Sequence, residues 1–189
     1  MKTTFEEDIE VAKGYHGHLC AGMVLGIRMA RHVLSLMGIE DPRADRDLTV
    51  FVETSRCSAD AAYAVAGVTV GRRRLKVVDM GKFAMTFVDP RTGRAFRAHQ
   101  RATVPHASHD VDPVAFFSGF ADEELFAVTP VKVVVPSFGR PDEPLQRVAC
   151  AECGEEVLDG KEIEAEGRAV CCRCGGVGAY SYYEELSTA

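Results

Sequence analysis

Four cysteines near the end of the chain restrict its architecture more than any other feature. Cys150-x2-Cys153 and Cys171-x2-Cys174 are separated by 17 residues, and five of the seven cysteines lie between positions 150 and 174. Each Cys-x2-Cys makes a tight turn that aims two sulfurs at one point. The intervening stretch is long enough for a hairpin, with strands at Glu162–Glu166 and Arg168–Val170 around Gly167. Four thiolates close a tetrahedron and leave no open position, which is the pattern of a structural Zn2+ site. A tail of this size buries little apolar surface, so metal binding would supply much of its folding energy. Disulfides and a rubredoxin-like iron site are the alternatives. Cys172 is read as unligated, because Cys171 makes the better-spaced pair with Cys174.

The tail follows a stiff passage, Pro136–Pro144, with three prolines in nine residues. Two domains are therefore expected, residues 1–145 and 146–189. The first mixes helices and strands without strict alternation, which points to an α+β core. Helices are predicted from Thr4 to Lys13 with Gly14 as terminator, over Met23–Met37, over Cys57–Ala66, and from Asp112-Pro113 onward. Strands are predicted at Leu48–Glu53, Leu75–Asp79, Phe83–Val88, Arg94–Arg101 and Val131–Val135.

Charge narrows the partners. The 189 residues carry a net charge of −6 and a pI near 5.5. From Cys150 onward there are 3 basic and 9 acidic residues, too few cations to neutralise phosphates, so a nucleic-acid-binding finger is disfavoured. Arg72–Arg101 reverses the balance, with 9 basic against 2 acidic residues. Within it Arg97, His99 and Arg101 alternate and share one strand face, opposite Phe96 and Ala98. That face is either solvated or a site for a small anionic ligand. Apolar stretches such as Ala61–Gly71 are too short to span a membrane. The acidic start, Met1–Asp8, has no apolar signal-peptide region, so a cytoplasmic chain is expected.

A second constellation lies near the N-terminus. His16, His18 and Cys20 fall within five residues, and alternate positions of an extended segment point to one side. Cys57 begins a predicted helix, where backbone N–H groups favour a thiolate. His18, Cys20 and Cys57, with His16 as alternative, make a ligand set for a second transition metal, read as Zn2+, with one position open for chemistry. Asp60, one turn into the helix, either complements the helix dipole or serves the site as a hydrogen-bond partner or general base. The competing reading is two surface histidines and two buried free cysteines. His32, His106 and His109 read as structural or surface histidines.

His16-Gly17-His18-Leu19-Cys20-Ala21-Gly22 and Gly26, then Glu53, Cys57–Ala61 and Asp79–Phe87, resemble in order the signature of the FmdE family, named for a component of formylmethanofuran dehydrogenase. The resemblance implies an α+β core, a C-terminal treble-clef-type zinc finger, a homodimer, and a His/Cys metal or active site with Cys57, His18 and Asp60 as its catalytic candidates. Ala21 and Val68 depart from the pattern, where the family commonly has Pro and Cys. Two functional classes follow: a metal-dependent enzyme or accessory component of an oxidoreductase, and a non-enzymatic metal-handling protein.

Overall fold

The computed structural model describes residues 1–108, 110–133 and 144–177. The chain divides into two compact units, Met1–Val135 and Pro136–Ala189. His109 and the proline-rich passage up to residue 143 lie outside the described residues. No helix among the described residues is long and apolar enough to cross a membrane.

The first unit contains α1 (Phe5–His16), α2 (Ala21–Met37), β1 (Thr49–Val52), α3 (Cys57–Ala66), β2 (Leu75–Val77), β3 (Ala84–Asp89), β4 (Arg94–Gln100), α4 (Pro113–Phe117), α5 (Asp122–Leu125) and β5 (Phe126–Pro130). The expected α+β mixture is what the chain adopts. The strands form one sheet in the order β2-β1-β3-β4-β5. β1 and β2 run parallel, joined through α3, and every other pair is antiparallel.

Register decides which side chains face the helices. Val50 pairs with Phe87, Val52 with Met85, and these with Phe96 and Ala98, placing an apolar row against α2 and α3. The alternate row, Phe51, Thr86 and Arg97, faces the other way. There Val88 and Ala95 join Phe51, Val131 and Val133 in a smaller cluster.

Asp8, with no exposed surface, ties the helices together. It accepts hydrogen bonds from Arg31 of α2 at 2.5 Å and from Arg43 at 2.7 Å. Arg43 also donates to the Ala64 carbonyl near the end of α3. α2 and α3 approach closely because Gly26 lacks a side chain: a Cβ there would lie 2.6 Å from Ala61 Cβ and 3.2 Å from Ser58 Cα.

Two predicted boundaries are corrected. Gly14 does not end α1, which continues to His16; Gly17 at φ +89° closes it and donates to Lys13 O. Tyr15 in the added turn packs on Tyr63, with ring centroids 4.4 Å apart. The strand that follows α5 is Phe126–Pro130, ending one residue before the expected Val131–Val135; residues 131–133 of that stretch are not in a strand, and 134–135 lie outside the described residues. β4 begins at Arg94, so beyond the Val131 N–H bond to Ala95 O little partner strand remains.

In the second unit β6 (Arg147–Ala149) pairs antiparallel with β7 (Glu156–Leu158), and β8 (Ile163–Ala165) with β9 (Arg168–Val170). The second hairpin is the expected one. Its turn residues, Glu166 and Gly167, both have positive φ, the two-residue geometry that suits right-twisted strands.

Candidate metal centres

Three helix ends meet in the first unit. His16 closes α1, Cys20 is the N-cap of α2, and Cys57 is the first residue of α3. Their ligand atoms all lie within 4.8 Å of one another. The Cys20 thiol donates to Cys57 Sγ at 3.3 Å, and the Met23 N–H donates to Cys20 Sγ at 3.3 Å. Sulfurs on a tetrahedral Zn2+ with bonds near 2.3 Å are about 3.8 Å apart, so the two thiols are at bridging distance for one ion. His16 Nδ1–H donates to Asp60 Oδ2 at 2.7 Å. That bond fixes the ring and leaves Nε2 as the lone-pair nitrogen, the carboxylate–imidazole arrangement of metal sites.

The positions differ from the expected extended segment. His18 is outside the group of three; its ring stacks beside His16, with centroids 4.7 Å apart. With Cys20, Gly22 and Ser108 it lines a cavity of about 380 Å³. Asp60 serves His16 and so is a partner of the site. The helix start does not make Cys57 acidic: burial, and then the Cys20 thiol beside it, push the Cys57 thiol up to about 11.

The second unit brings together Cys150, Cys153, Cys171 and Cys174, with all four sulfurs within 4.8 Å. Cys153 and Cys171 Sγ are 4.0 Å apart. Backbone N–H groups face the sulfurs: Cys171 N–H donates to Cys150 Sγ at 3.2 Å and Cys174 N–H to Cys171 Sγ at 3.4 Å. N–H groups of Cys153 and Cys171 pull the Cys150 thiol down to about 6, whereas Cys171 and burial push the Cys174 thiol up to about 12. A thiol at Cys150 that ionises readily, aimed at three further sulfurs, suits a site that a cation completes. Cys172 lies outside this group, and its thiol donates to Lys161 O at 3.2 Å.

The basic strand face is also present. Arg97, His99 and Arg101 line a cavity of about 530 Å³ that Lys82, Phe83 and His106 complete. Strand parity identifies the first three in the sequence; nothing local joins the others to them. His32 lies 3.6 Å from Asp122, which also pairs with Arg28, a structural contact holding α5 on α2.

Residues 15–123 match the family described as FmdE, molybdenum formylmethanofuran dehydrogenase operon. The match spans the His16–Cys20–Cys57 group and stops before the four-cysteine unit. A curated relative, a probable S-adenosyl-L-methionine-binding protein of Archaeoglobus fulgidus, is 31% identical over 94 residues, 48% of this chain. The chain spans about a quarter of that relative's length, 26%. Among solved structures, a tungsten formylmethanofuran dehydrogenase FmdE-like protein from Syntrophus aciditrophicus superposes with a TM-score of 0.60 at 22% identity. The superposition covers 97% of this chain and 96% of the other, so the two share a fold.

Proposed function

The chain belongs to the FmdE family, and from that premise we propose that it is a two-metal protein: a core site for a transition metal, read as Zn2+, and a structural Zn2+ in a treble-clef-type finger. The observation that carries the core site is the convergence of His16, Cys20 and Cys57, with Asp60 hydrogen-bonded to the imidazole at Nδ1. Three protein ligands leave one position for a ligand or water, whose polarisation is the chemistry such a metal supplies. Asp60 holds the His16 ring and its tautomer. His18 stands beside His16 and lines the neighbouring cavity, and it would serve as proton donor or acceptor for what occupies that position. Cys150, Cys153, Cys171 and Cys174 would enclose the second ion completely, which makes it structural. The working unit is a cytoplasmic homodimer, checked by light scattering at micromolar concentration.

Metal stoichiometry tests the proposal. The wild type should hold two metals per chain, and Cys57→Ser and Cys150→Ser one each, with the core folded in both. Full metal content in Cys57→Ser overturns the core site; a metal-free active-site thiol at Cys57 would then explain the geometry better. A core metal that leaves readily and retains no exchangeable water would favour metal handling over catalysis.

A further inference from the structure

Much of the basic segment is spent on the fold, and two of the cations left over, Lys82 and Arg101, line one cavity. Arg74 is buried and donates to Leu48 O. Arg91 pairs with Asp45, Asp47 and Asp89. Arg94 donates to the carbonyls of Met37 and Leu36. Arg97 is held by Glu53 through two bonds of 2.6 Å. Lys82 and Arg101 are different. Among the described residues Lys82 forms no ion pair, and Arg101 donates to the backbone carbonyls of Glu123 and Phe126 but to no carboxylate.

Both line the 530 Å³ cavity where β3 begins and β4 ends, and none of its lining residues is acidic. Glu53, the carboxylate bonded to a lining side chain, is neutralised by Arg97. His99 Nδ1–H donates to Gln100 O at 3.0 Å, which leaves the other ring nitrogen for a ligand. The lining therefore offers two uncompensated cations and neutral hydrogen-bonding groups, in a volume that suits a small organic molecule better than a bare ion. Phe83 forms part of the wall. Its Cε2 lies 3.8 Å from the point where a Gly22 Cβ would stand, and Cys57 Sγ is 3.5 Å from that same point. Phe83 thus belongs both to the cavity wall and to the surroundings of Gly22 and Cys57.

We propose that this cavity binds the oxyanion group, carboxylate or phosphate, of a small organic acid through Lys82 and Arg101, and that this acid is the ligand presented to the core site. The second half rests on the proposed core metal; the first does not. Lys82 supplies a mobile point charge and Arg101 a guanidinium already fixed by two carbonyls, so binding needs little reordering of the wall.

Calorimetric titration of the full chain with succinate and with inorganic phosphate at low salt separates the two anion types, with neutral succinamide as control. Saturable binding of at least one anion, but not of succinamide, is expected. Lys82→Gln and Arg101→Gln should each weaken it about 10-fold, as loss of a charge-assisted hydrogen bond does. Arg72→Gln, which removes the same charge outside the cavity, should leave it within about twofold. Lys82→Gln breaks no described contact, so its result stands even if Arg101→Gln is unstable. Cys57→Ser should retain binding whether or not the core metal exists, which separates this site from the metal reading. Absence of saturable binding below about 10 mM overturns the proposal. So does an equal loss in Arg72→Gln, or a loss in Cys57→Ser with none in Lys82→Gln.

Discussion

Substituting Gly26 by Ala tests the packing on which the core group depends. In an open helix the change is favourable, by about 0.8–1 kcal/mol, because Ala loses less backbone entropy. Here the new methyl would sit 2.6 Å from Ala61 Cβ and 3.2 Å from Ser58 Cα. Carbon atoms pack at about 3.5–4.0 Å, so α2 and α3 must separate by about 1 Å. Neither neighbour can swing aside, since one is a β-carbon and the other is backbone. Overpacking of this kind costs about 1–3 kcal/mol. Subtracting the propensity gain of about 1 kcal/mol leaves a net loss of about 1 kcal/mol. Gly14, in α1 with nothing within 4 Å of its Cβ position, is the internal control, and Gly14→Ala should gain the full propensity contribution. Urea unfolding followed by far-UV circular dichroism gives both values. In a double-mutant cycle, Ala61→Gly should rescue Gly26→Ala with a coupling of about 1–2 kcal/mol. If Gly26→Ala stabilises the protein as Gly14→Ala does, the close approach of α2 and α3 is wrong, and the placement of Cys20 beside Cys57 loses its support.

Asp8→Ala should destabilise the first unit by about 3–5 kcal/mol, because Arg31 and Arg43 lose the buried carboxylate they share; a loss below about 1 kcal/mol in urea titration contradicts this. The Arg97 guanidinium holds the Glu53 carboxyl below its usual range. The unfolded chain therefore takes up that proton first: the contribution is complete above about pH 4.3 and is lost as pH falls through the lower folded value. The stability gap between wild type and Glu53→Gln should shrink across that window in urea titrations at stepped pH, and a constant gap would refute the pairing. Chelation, or Cys150→Ser, should abolish hydrogen-exchange protection in β6–β9 while β1–β5 keep theirs; protection that survives in both means the finger folds without metal.

The parts of the fold that were legible in the sequence have local causes. Thr4 and Glu7 form the reciprocal cap their spacing predicts, with bonds of 2.8 and 3.1 Å. α3 covers Cys57–Ala66, as its alanine run and terminal Gly67 predict. The four tail cysteines converge because both turns and the hairpin between them are encoded within one short stretch, residues 150–174. Strand parity placed Phe96 and Ala98 in the core and Arg97 and His99 on the opposite face. Lys82 and His106 could not be added to them from sequence, because only the sheet end and the loop beyond it bring them near.

The choice between His16 and His18 turns on one glycine. If Gly14 ended α1, residues 15–20 would run extended and His16, His18 and Cys20 would share a side. A helical Gly14 costs only about 1 kcal/mol relative to Ala. The added turn offsets this by packing Tyr15 on Tyr63 and by letting Gly17, which takes a positive φ without strain, close the helix. The first of these gains depends on α3, an element distant in the sequence, and no local rule weighs it. Once α1 reaches residue 16, the spacing that governs the site is no longer the alternation of a strand. His16 and Cys20 are brought together by the end of one helix and the start of the next, and Asp60 and Cys57 meet them from a third. The residue types of the candidate site were therefore readable in the sequence, whereas which of them come together is decided by where three helices stop and start.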